Sequence, residues 1–149
     1  MRRYYECEHL VTFEETNLVG NVYFARYLSW QGECRERFLA DQAPGVIASL
    51  AGDLALVTLS CSCEFLSEVY ALDRLSIRMS LGHVSFNTIS MDFEYYRLGS
   101  GPAQLVARGQ QSVACMRRDP GGLRPVAVPD ELAAALVSYS DLAATGSAA

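Results

Sequence analysis

Apolar residues recur along this chain with two different periods, and the change falls near residue 54. Residues 4–13, YYECEHLVTF, alternate loosely and predict a strand. Residues 14–22 read as a loop. From Tyr23 to about Ala40 the spacing is helical, with Phe24, Leu28, Gln31, Arg35, Phe38 and Leu39 along one side. A second short helix is expected over 43–50, opened by Pro44 and ended near Gly52. Beyond it the period is two. In 54–65 the residues Ala55, Val57, Leu59, Cys61, Cys63 and Phe65 share a face. The segments 74–83, 87–98 and 104–117 repeat that alternation, with hairpins at 84–86 and 99–102. DPGG at 119–122 is a turn, and Pro129 opens a last helix with Asp130 and Glu131 in its first turn. One central helix cannot cover both faces of so large a sheet. The expected fold class is therefore α+β, with a long antiparallel sheet wrapped around the helix from Tyr23 and a remaining edge paired to a second copy.

Composition narrows the classes. The 149 residues suit a single domain, placed at 1–140, with a disordered tail over 141–149. Net charge is -5, and all 12 basic residues are Arg, so a nucleic-acid binder is not expected. No apolar run is long enough for a membrane span. MRRYYECEH lacks the apolar segment of a secretory signal, so the cytoplasm is the expected compartment. Five cysteines in a reducing compartment need no disulfide. Cys61 and Cys63 have no second pair or neighbouring His and read as packed core thiols. His9 and His83 stand alone, so no metal site and no bound cofactor are expected.

Chemistry concentrates where the first loop meets the helix, in ETNLVGNVYFARYLSWQGECRERFL (15–39). Asn17 is a natural turn residue, and it can also orient a water molecule or a carbonyl; an amide is neither nucleophile nor strong base. Gly20 lets the chain turn and come close to a ligand. The amides of Tyr23 and Phe24, at a helix N-terminus, suit a developing oxyanion. Arg35 shares the helical stripe. Its stem either packs while the guanidinium reaches water, or the charge holds Asn17 and polarises a substrate oxygen. Tyr27 is a core aromatic or a pocket hydroxyl, and Thr58 is a further pocket candidate. Cys34 lacks a His partner, and Glu36 is a carboxylate on the same helix.

The loop NLVGNVYF resembles that of the hotdog-fold thioesterases, in the branch of 4-hydroxybenzoyl-CoA thioesterase. That branch carries Asp-x-x-Gly-x-Val-aromatic, and here Asn17 stands where it has its catalytic Asp. TNLVGNVYF, followed by YLSWQG and CRERFL, looks more specifically like the thioesterases of enediyne antibiotic biosynthesis. The resemblance implies a homo-oligomer, a dimer or dimer of dimers, with sites at the subunit interface. It implies release of a polyene β-ketoacyl chain, carried on phosphopantetheine, from the acyl carrier protein domain of an iterative polyketide synthase. The β-keto acid released can then lose CO2. It also implies that the oxyanion donor is the amide of the position held here by Phe24, and it makes Glu36 the fallback carboxylate. A general acyl-CoA thioesterase and a non-hydrolytic polyketide-binding protein are the other readings. For carrier docking, Arg117 and Arg118 are the best basic pair, and Arg97 is expected beside them.

Overall fold

The computed structural model describes residues 3–140, so the expected tail over 141–149 lies outside the described residues. The elements run β1 (Tyr5–Leu10), a single 3-10 turn (Phe13–Glu15), α1 (Ala25–Gln42), α2 (Pro44–Leu50), β2 (Leu54–Phe65), β3 (Arg74–Val84), β4 (Thr88–Leu98), β5 (Gln104–Asp119), β6 (Gly122–Pro125) and α3 (Asp130–Val137). The strands form one antiparallel sheet in the order β1-β3-β4-β5-β2. The short β6, which alternation did not reveal, folds back on the end of β5 through the DPGG turn.

The helix-facing side of the sheet carries the core. Ile89, Met91, Phe93 and Tyr95 on β4 meet Ile77, Met79 and Leu81 on β3, and all are buried. Against them α1 buries Tyr27, Trp30, Gln31, Cys34, Phe38 and Leu39. This stripe is rotated from the expected one. Phe24 is 57% exposed and Leu28 only half-buried, because aromatic Tyr27 and Trp30 fill the sheet's concavity better than Leu28 would. The Tyr27 ring touches those of Trp30, Phe65 and Tyr95.

β2 departs further from expectation. A bulge between Thr58 and Ser60 shifts its register against β5. Thr58 pairs with buried Val113, whereas Cys61 and Cys63 pair with Gln111 and Gly109. The helix-facing set is therefore Leu56 and Thr58 before the bulge and Cys61, Cys63 and Phe65 after it, not one unbroken alternation. Cys61 is exposed and is not the packed core thiol expected, whereas half-buried Cys63 does pack against the core. β2 is also a terminal strand whose outer edge is unpaired among the described residues, and it exposes Leu59 and Phe65.

Candidate active site

The loop before α1 is a tight hairpin closed by a bridge between Thr16 and Val22. Within it the Gly20 amide donates to the Asn17 carbonyl at 2.9 Å, and the Val19 amide donates to Asn17 Oδ1 at 3.0 Å. Gly20 takes φ +96°, which only glycine adopts without strain. This is the turn that Asn at its first position and Gly at its last specify. Asn17 thus fills the turn role. Its side-chain carbonyl is held by the turn, and its NH2 remains as a donor.

The turn delivers the chain to a helix that has no capping side chain. Phe24 occupies the cap position, where Ser, Thr or Asp would normally accept from the first amides. The Phe24 and Ala25 amides consequently have no partner among the described residues. The Tyr23 amide differs from expectation, since it donates to the Glu15 carbonyl at 3.0 Å and is not available to an oxyanion.

Beside these amides lies a cavity of about 290 Å³, lined by Asn21, Val22, Phe24, Tyr27 and the segment Phe65 to Val69. Burial pushes the Tyr27 phenol up to about 12, so it stays protonated at neutral pH and acts as a donor, not a base. Asn21, which sequence reasoning passed over, lines the cavity with its Oδ1 buried and unpartnered. The far wall is braced by Arg97. Its Nη1 donates to the Glu68 carbonyl at 2.7 Å and pairs with Asp73, while Nη2 donates to Gln104 at 2.7 Å. Arg97 is therefore committed at this end of the sheet. Arg117 and Arg118 lie at the other end, because β5 sets Ala107 opposite Phe65 and Arg117 opposite Leu54. Ten residues of strand separate the two ends, about 33 Å, so Arg97 does not join that pair.

Arg35 sits apart from Asn17. Its Nη1 donates to Gln111 Oε1 at 2.7 Å and to Thr58 Oγ1 at 3.2 Å, and its Nε is buried without a partner. Burial lowers its pKa, with Glu36 opposing. The bulge in β2 turns Thr58 toward this guanidinium. Gln111, 5% exposed, was missed, although its place among Ala107, Gly109, Val113 and Cys115 marks a polar side chain on the inner face. From Ala25 to Arg35 is ten residues, about 15 Å of helix. Within one chain, then, Arg35 meets Thr58 but does not hold Asn17. The alternatives fare worse. Cys34 is buried, and a hydrogen bond with Cys7 together with burial raises its pKa far above neutrality. Glu36 is exposed. Among the described residues no cluster of His, Cys, Asp and Glu could hold a metal, and no helix is long and apolar enough to cross a membrane.

A family model, the thioesterase-like superfamily, matches residues 11–136. The chain belongs to that superfamily. It is a thioester hydrolase with the hotdog fold. The dynemicin thioesterase is 56% identical, with 91% of this chain and 96% of that chain covered and a TM-score of 0.88. A 1,4-dihydroxy-2-naphthoyl-CoA thioesterase from Synechocystis is 26% identical, covering 89% and 95%, with a TM-score of 0.76. The 4-hydroxybenzoyl-CoA thioesterase from Pseudomonas sp. strain CBS-3, at 19% identity, 89% and 99% coverage and a TM-score of 0.75, shares the fold. No curated protein sequence matches the chain. Position 17, just before the uncapped helix start, carries an amide and not a carboxylate.

Proposed function

We propose that this thioesterase releases a polyene β-ketoacyl chain from the phosphopantetheine of an acyl carrier protein domain, in enediyne polyketide assembly, and that it works as a homodimer joined through β2. The observation that carries the substrate reading is the 56% identity to the dynemicin thioesterase, whose crystal structures record polyene binding. The site is consistent with it. A β-keto group activates the thioester carbon, so water attacks without a carboxylate base. The oxyanion accepts hydrogen bonds from the Phe24 and Ala25 amides, and the Asn17 NH2 and the Tyr27 hydroxyl are further donors. One such preorganised donor is commonly worth about 3–4 kcal/mol. The thiolate leaves on the pantetheine arm and takes up the proton released by water. The β-keto acid then loses CO2 without needing a protein group.

The dimer supplies the cation. β2 is an unpaired edge bearing exposed Leu59 and Phe65, and Leu18 and Val19 stand fully out at the tip of the Asn17 turn. Antiparallel pairing of two β2 strands about their midpoint sets Thr58 opposite residues 61–62 of the copy. Arg35, bound to Thr58, then lies about 13 Å of strand from the copy's Phe65 and about 23 Å from its own. Arg35 is thereby brought nearer the copy's cavity end than its own, and we assign it to the site that the copy's Asn17 loop forms. The test is turnover of matched β-ketoacyl thioesters on a carrier domain and on CoA. Faster release from the carrier is expected. Equal or faster release from CoA would indicate a general acyl-CoA thioesterase, and binding without release would remove the hydrolytic reading.

A further inference from the structure

Glu15 is the carboxylate nearest the loop in sequence, and the question is whether it replaces the missing base. Its lone pairs are already taken. Oε1 accepts from the Thr12 amide at 2.9 Å, from Thr12 Oγ1 at 3.2 Å and from His9 Nε2 at 2.8 Å. Oε2 accepts from Trp30 Nε1 at 2.7 Å and lies 3.0 Å from the same His9 nitrogen. The side chain is 12% exposed and does not line the cavity. Burial works against ionisation, but the bonds from Thr12, His9 and Trp30 outweigh it and hold the carboxyl below the usual range. A base needs a free lone pair within reach of the attacking water, and Glu15 offers none.

What Glu15 does hold is the loop. Its carboxylate ties together β1 through His9, the 3-10 turn through Thr12 and α1 through Trp30. Its own carbonyl accepts the Tyr23 amide at 3.0 Å. The next amide along the chain is that of Phe24, the free donor at the cavity. Thr16, the residue after Glu15, begins the hairpin that carries Asn17.

We propose that Glu15 is a positioning residue of this thioesterase site: by fixing one carbonyl against β1 and α1, it aims the Phe24 and Ala25 amides at the thioester oxygen. The inference rests on the oxyanion role given to those amides above. A shift of the Tyr23 peptide rotates the Phe24 N–H away from the reacting oxygen, which weakens an interaction made chiefly in the transition state.

Two sets of variants test it, assayed on a carrier-free pantetheine β-ketoacyl thioester well below the unfolding temperature. Glu15→Gln puts an NH2 where Trp30 and His9 donate, so kcat per folded protein should fall at least tenfold with KM within about twofold. His9 is the gentler probe if Glu15→Gln folds poorly. His9→Gln keeps a donor toward Glu15 and should retain kcat, whereas His9→Leu should lower it severalfold. Hydrogen exchange reads the same anchor without turnover, since the Tyr23 amide should lose protection in Glu15→Gln and in His9→Leu. Unchanged kcat in both Glu15→Gln and His9→Leu would overturn the proposal, as would unchanged protection at Tyr23. Recovery of Glu15→Gln by added formate would also overturn it, because that outcome makes Glu15 a base. Absence of thioester turnover in the unmodified protein would strike the oxyanion reading itself, whereas the exchange measurement still judges the anchor.

Discussion

At the scale of single residues, the site divides into groups whose bonds are spent and groups whose bonds are free. Asn17 spends its carbonyl on its own turn and keeps two N–H donors. Asn17→Asp should therefore gain little, since one carboxylate oxygen would still cap the turn, the NH2 donors would be lost, and a base also needs the right water geometry. Asn17→Ala should lose turnover about tenfold, read as kcat on a small thioester. Arg35 is desolvated and only partly satisfied, a state that costs folding energy unless the charge has another use. Arg35→Met should lower kcat about a hundredfold, ~2.7 kcal/mol of barrier, while circular dichroism and gel filtration stay those of the parent. Half-buried Tyr5 and buried Tyr27 make a pH prediction, in the same direction as buried Tyr95, whose phenol burial also raises. Burial raises both Tyr5 and Tyr27 from 10.0 to about 12, with Asp41 adding to the effect at Tyr5. Through these two groups the folded state binds more protons than the unfolded state between pH 10 and 12, so their contribution to stability is full below pH 10 and falls across that window, with the raised Cys63 thiol starting the loss near pH 9. Thermal melts from pH 9 to 12 should show this fall, and Tyr27→Phe should make it shallower. Asn17, Gly20 and Phe24 were legible in the sequence because turn chemistry and helix starts are local. Gln111, Asn21 and Glu15 were not, because their roles come from contacts between distant elements.

At the scale of elements, the order of helices and long strands followed from the two hydrophobic periods, including the terminal helix at Asp130. The faces were harder to read. Phe24 and Leu28 fit the helical spacing as well as Tyr27 and Trp30 do, and only the shape of the sheet's concavity selects the aromatic pair. The β2 bulge has no glycine or proline to announce it, yet it decides that Thr58 faces Arg35. Leu59 sits at that irregularity, 58% exposed, on the strand proposed to pair with its copy. Leu59→Asp adds a charge to an exposed position, so the protomer should stay folded. Sedimentation should shift to the monomer at micromolar concentration, and turnover should fall with it. A dimer of unchanged affinity in this variant would move the interface away from β2.

At the scale of the whole molecule, the proposed substrate requires a chain of net charge -5 to receive a carrier domain bearing an anionic phosphopantetheine arm. Arg117 and Arg118 are about 33 Å from their own cavity, but the proposed antiparallel dimer would set the Leu54 end of β2 against the copy's Phe65 end. The pair is thereby placed near the copy's cavity. Arg117→Glu with Arg118→Glu should slow release from the carrier severalfold and increase with falling salt, with small-thioester hydrolysis retained. The central claim is that each site takes its loop from one protomer and its guanidinium from the other. Co-expression of Asn17→Ala and Arg35→Ala chains, followed by isolation of the mixed dimer, tests it most directly. The mixed dimer then holds one site with both residues intact and one with neither, so its turnover should approach half that of the parent dimer. Turnover no higher than that of the two single-variant dimers would contradict the shared site.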